Sequence, residues 1–112
     1  MKWYRKLYLG EHAKEAKYKV FGRIRKGRFQ MDTFLITLSD HPDNLLDIFS
    51  SNVLNQPYYK KKRVNQDIYV VGLAKGYDEA LEVVRVIVDD VYSHTGTFDL
   101  RSYLRFGQTK KR

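Results

Sequence analysis

Along the chain the spacing of apolar residues switches between strand-like runs and helical stripes, most clearly between residues 68 and 96. Ile68-Tyr-Val-Val-Gly-Leu-Ala74 is a near-continuous apolar run rich in β-branched residues, the pattern of a strand covered on both faces. From Tyr77 to Ser93 the period becomes helical: Ala80, Leu81, Val84, Ile87, Val88 and Val91 form one apolar stripe, with Glu82, Arg85 and Asp89 opposite. Asp78 and Glu79 suit the first turn, His94 the last, and Gly96 a left-handed stop. Gly72 inside the strand marks a bulge or a close approach of another segment.

The rest of the chain repeats the alternation less sharply. Trp3 to Leu9 reads as a strand near an edge, because Arg5 and Lys6 interrupt its aromatics and leucines. Glu11 to Lys26 places Ala13, Ala16, Val20, Phe21 and Ile24 on one helical face, with Gly22 a weak point inside and Gly27 a stop. Phe34-Leu-Ile-Thr-Leu38 is a second doubly covered strand. After the turn residues 39–44, Asp43 or Asn44 can cap a short helix carrying Leu45, Leu46, Ile48, Phe49 and Val53. Residues 55–66 read as a polar, basic connection without a period. Residues 98–106 alternate like a strand but also fit a short helix capped by Asp99, which is the preferred reading.

This order predicts an α/β (or α+β) fold: a small three-stranded parallel or mixed sheet in β-α-β-α-β-α order with helices packed on it. Residues 1–106 form one domain, and 107–112 a basic disordered tail. Three strands are few for this class, so a homo-oligomer that extends the sheet or covers a helix face would relieve the shortage.

Composition narrows the chemistry. The 112 residues contain no cysteine, which excludes disulfides, thiol catalysis and cysteine-ligated metals. There is no membrane-length apolar stretch and no signal-like apolar region after Met1-Lys-Trp-Tyr-Arg-Lys, so a cytoplasmic protein without a membrane partner is the expectation. The net charge of +8 is unevenly placed: +8 over residues 1–28, −4 over 29–59, +4 over 60–66, −5 over 67–99 and +5 over 100–112. Such blocks make a one-sided field if the fold gathers them.

These blocks carry the favoured functional reading, although the sequence assigns no activity. A small intracellular, non-catalytic binding module would contact nucleic-acid phosphates, RNA or DNA, without strong sequence specificity through Lys14, Lys17, Arg23, Arg25, Lys26, Lys60, Lys61, Lys62 and Arg63. Tyr58 and Tyr59 would add faces for unpaired bases. The alternative is protein–protein interaction or a homo-oligomeric scaffold or regulatory domain, in which basic residues meet an acidic partner such as the Asp78, Glu82 and Asp89 face of a second copy. A second alternative is a small-molecule site or enzyme: three parallel strands would bring His12, Asp40, His41 and Lys75 to one carboxyl-terminal edge, where acid–base chemistry is possible. His12, His41 and His94 lack paired ligand spacing, so neither a metal nor another cofactor is expected.

Overall fold

A computed structural model describes residues 1–28, 30, 32–39 and 44–104, with the backbone alone for 65 and 66. Its strands are β1 (Lys2–Leu9), β2 (Thr33–Leu38), β3 (Leu46–Ser50) and β4 (Tyr69–Lys75). Its helices are α1 (Glu11–Glu15), α2 (Lys17–Arg25), α3 (Pro57–Lys60), α4 (Lys62–Gln66), α5 (Tyr77–Thr95) and α6 (Leu100–Leu104), with a 3-10 helix at Ser51–Asn55. The sheet order is β1-β4-β2-β3. β1 runs parallel to β4, whereas β2 is antiparallel to both β4 and β3.

β4 is central, and its apolar run serves two cores. Val71 and Ala74 join Ile36, Leu38, Ala80, Val83, Ile87, Val91, Leu100 and Leu104 beneath α5 and α6. Val70 and Leu73 join Leu35, Ala13 and Val20 beneath α1 and α2, with Phe49 and Leu54 at the margin. Val70, Val71, Leu73 and Ile87 are fully buried, each burial stabilising the fold by about 1.5–3 kcal/mol. Gly72 permits the packing: a Cβ there would meet Val83 Cγ1 at 3.0 Å and the Tyr8 carbonyl at 3.2 Å. A register shift accompanies it, since Ile36 faces Gly72 while Thr37 faces Val70, leaving Val71 as the extra residue of a bulge. Gly96, at φ 73°, ends α5 in the left-handed conformation that glycine tolerates best.

Several expectations change. The sheet has four strands and is mixed, because Leu46–Ser50 forms β3 rather than a helix. Five residues are too few for helical period to decide. Pairing from Phe34↔Ser50 to Leu38↔Leu46 satisfies the backbone and puts Ile48 and Phe49 into opposite cores. The segment from Glu11 to Lys26 is two helices, broken at Ala16 (φ −105°, ψ 21°) rather than at Gly22. The break lets α1 stay docked against β4 while Val20, Phe21 and Ile24 of α2 reach the same core. Residues 57–66 are not irregular: Pro57 opens α3, where its fixed φ suits the first helical position. Leu81, expected on the buried stripe, is 47% exposed, and Val83 takes its place in the core. Residues 100–104 are helical, and Ser102 N–H donates to Asp99 Oδ1 at 3.3 Å. The basic segment 107–112 lies outside the described residues. Among the described residues no helix is long and apolar enough to cross a membrane.

Candidate nucleic-acid interface

The sheet separates charge. One face is covered by α1 and α2, and the segment 51–66 adjoins it through Leu54 and the stacking of Tyr59 on Phe49; together residues 11–28 and 51–66 hold eleven Lys and Arg against two Glu. The other face carries residues 77–104, with six carboxylates against two Arg. The two layers therefore differ from +9 to −4, a fixed field across the molecule. Lys14, Lys17, Arg23, Arg25 and Lys26 are exposed on the basic layer, as are Lys60, Lys61, Lys62 and Arg63. None of the eleven cations forms an ion pair among the described residues.

The two basic blocks adjoin through Gly27 and Asn55. A Cβ at Gly27 would come within 3.3 Å of Asn55 Oδ1, so the cationic end of α2 lies against the 3-10 helix that leads into α3. Gln30 and Asn52 hold the same junction: Gln30 N–H donates to Asn52 Oδ1 at 2.8 Å, and Asn52 Nδ2 donates to the Gln30 carbonyl. Lys19 and Arg28 extend this surface and are further exposed cations, absent from the set that the sequence pattern singles out.

Between β3 and the α3–α4 segment lies an open groove of about 690 Å³. Its aromatic wall steps outward from the sheet. Tyr59 stacks on Phe49 at 6.2 Å between centroids, and Tyr58 stands edge-on to Tyr59 at 5.1 Å. Tyr58 is 57% exposed, and Lys61 Nζ lies 5.8 Å from its ring centroid. Lys61 and Arg63 line the same groove, and so do Asp47 and Asp67. The two carboxylates repel a phosphate from the interior but can accept hydrogen bonds from amino groups. Phe49 and Asp47 come from β3, so only recognition of the hairpin could have found them.

The histidine and lysine candidates separate. β2 runs against β1 and β4, so its carboxyl end lies beside the start of β4 instead of beside Gly10 and Lys75. The single edge needed to gather His12, Asp40, His41 and Lys75 is therefore not formed; residues 40 and 41 themselves lie outside the described residues. His12 and the Lys75 backbone meet at Glu79, whereas the Lys75 ammonium pairs with Asp32 at 3.1 Å. His12 N–H and Ala13 N–H donate to the two Glu79 oxygens at 3.0 and 3.2 Å, Lys75 N–H donates at 2.8 Å, and His12 Nδ1 lies 2.8 Å from Oε1. Burial would raise the Glu79 pKa, but the Lys75, His12 and Ala13 donors outweigh it and hold the carboxyl below its ordinary value. The hydrogen bond to Glu79, then its charge, raises the His12 pKa. This arrangement braces α1 and α5 against the strand ends.

About three turns further along the same flank of α5, burial and then a hydrogen bond to Asp90 raise the pKa of Tyr8, whose hydroxyl donates to Asp90 Oδ2. His94 Nδ1 lies 2.7 Å from the Asp90 carbonyl at the end of the helix. Among the described residues no three His, Asp or Glu side chains converge on a point where a metal ion could sit. Compared with known proteins, the chain matches no family model, no curated protein and no solved structure.

Proposed function

We propose that the protein is a non-catalytic module that binds single-stranded nucleic acid across its basic layer, with unpaired bases entering the groove beside Tyr58. The observation that carries this reading is the gathering of eleven exposed Lys and Arg on two adjoining segments, next to an aromatic ring left open to solvent. Phosphates engage the cations of α2, α3 and α4 and release condensed counterions. Tyr58 offers its π-face to a base, while Tyr59, already stacked on Phe49, fixes the wall behind it. Asp47 and Asp67 keep the interior of the groove unfavourable for a phosphate, which leaves backbone at the rim and bases inside. Duplex DNA, whose bases are stacked, gains only the rim contacts.

Fluorescence anisotropy with labelled single strands and a matched duplex tests this reading. Single strands should bind more tightly than duplex at equal salt, and Tyr58→Ala should weaken single-strand binding while changing duplex binding little. Absence of binding to either RNA or DNA single strands at low salt would refute it.

A further inference from the structure

We infer that a second copy of this chain docks on the outer flank of α5, forming a two-fold dimer whose basic layers face away from each other. The apolar arc of α5 is wider than the sheet can cover. Ala80, Val83, Ile87 and Val91 are buried, but Tyr77, Leu81, Val84, Val88 and Tyr92 form a second stripe at steps of three and four residues. Tyr77, Leu81 and Tyr92 are 55%, 47% and 51% exposed, and Phe98, 53% exposed, stacks on Tyr92 at 4.9 Å. Tyr77 also meets Phe34 edge-on at 5.9 Å. The stripe therefore continues across half-buried Phe34 and Ile48 to β3, an edge strand of the sheet.

The order of side chains along this stripe identifies the occupant. Large groups stand at both ends, Tyr77 with Leu81 and Tyr92 with Phe98, while the smaller Val84 and Val88 lie between them. Reversing the helix about the point between Val86 and Ile87 puts Leu81 opposite the second copy's Tyr92 and brings the two valine pairs together. A contact of this kind is self-complementary, as a two-fold interface requires. Charge agrees with the reversal. Arg85 lies between Glu82 and Asp89 beside the stripe, its Nη1 2.8 Å from Asp89 Oδ2, and in the antiparallel pair it comes within one residue of the second copy's Asp89. Glu79 and Asp90 point to the opposite flank, where they are bound to His12 and Tyr8, so they do not oppose each other across the interface.

At about 150–250 Å² per aromatic side chain, the exposed halves of Tyr77, Tyr92 and Phe98 alone supply on the order of 200–400 Å². Leu81 and the half-buried groups around them add to it, so the stripe forms the apolar centre of an interface whose standard size is about 800 Å² per partner.

Sedimentation velocity over a concentration series tests the inference. Wild type should show a monomer–dimer equilibrium. Leu81→Asp should remain monomeric and melt as wild type does at concentrations too low for it to dimerise, since residue 81 is exposed in the monomer. Arg85→Asp should weaken the dimer, and the exchanged pair Arg85→Asp with Asp89→Arg should restore it. A wild-type protein that stays monomeric throughout would overturn the inference and free the stripe for a different protein. A dimer that survives Leu81→Asp would overturn it equally.

Discussion

Glu79 lies so close over Gly10 that a Cβ built on residue 10 would fall 2.2 Å from Glu79 Oε2. The carboxylate cannot simply swing aside, because backbone donors from His12, Ala13 and Lys75 hold it, and its side chain is only 12% exposed. Gly10→Ala should therefore displace Glu79 and lower stability by about 1–3 kcal/mol, the cost of breaking hydrogen bonds to a largely buried carboxylate. Glu79→Ala should cost a similar amount. Because both act on the same hydrogen bonds, the double variant should lose much less than the sum of the two, as read from denaturant unfolding.

The His12–Glu79 pair also gives stability a pH dependence on both sides. The contribution of Glu79, whose folded pKa is depressed, is fully present above the unfolded carboxyl value of about 4.3 and is lost as pH falls through the folded value. That of His12, whose folded pKa is raised, is fully present below about 6.5 and disappears as pH rises through the raised value. His12→Ala should remove the alkaline part of the profile and leave most of the acid part, since three backbone donors to Glu79 remain. Thermal melts across the pH range would show it. An unchanged alkaline limb in His12→Ala would contradict the assignment.

Ile87 and Leu81, on one helix, should respond oppositely to the same change. Ile87→Asp places an unpaired charge at a position with no solvent exposure and should cost several kcal/mol, enough to unfold a small domain. Leu81→Asp should leave the melting temperature of the monomer nearly unaltered. Equal tolerance at both sites would mean that α5 is not docked on the sheet by the face described.

How far the chain can be read follows the range of the interactions involved. The apolar run that becomes β4, the helix that follows it and the Gly96 stop are local patterns and are present as expected, whereas the buried stripe of α5 is shifted to Ala80, Val83, Ile87 and Val91 with Leu81 left exposed. β3 is hidden from such reading because Leu45, Leu46, Ile48 and Phe49 fit either period, and only their pairing with Phe34 to Leu38 decides between them. The width of the α5 arc is visible as apolar positions, but the part that the sheet covers is not. It depends on where Gly72 admits Val83. Likewise the basic blocks stand out in the sequence, whereas their adjacency depends on the junction of Gly27 and Gln30 with Asn55 and Asn52. In the groove, Tyr58, Lys61 and Arg63 belong to one legible run, while Phe49 and Asp47 enter from β3, whose local pattern suggests a helix instead.

In the proposed binding mode the basic layer and the Tyr58 groove act together on single-stranded nucleic acid. The most direct test of this mode is the slope of log affinity against log salt, from anisotropy titrations of a single-stranded oligonucleotide. Replacing Lys60, Lys61, Lys62 and Arg63 with Ser should make the slope shallower by about 0.7 for each phosphate no longer neutralised, up to about 3 if all four cations engage. Tyr58→Ala should weaken binding by about 1–3 kcal/mol for one stacked base with the slope preserved, because stacking releases few counterions. A four-residue variant with the wild-type slope and affinity, or a wild-type protein that binds no single strand at low salt, would contradict this binding mode.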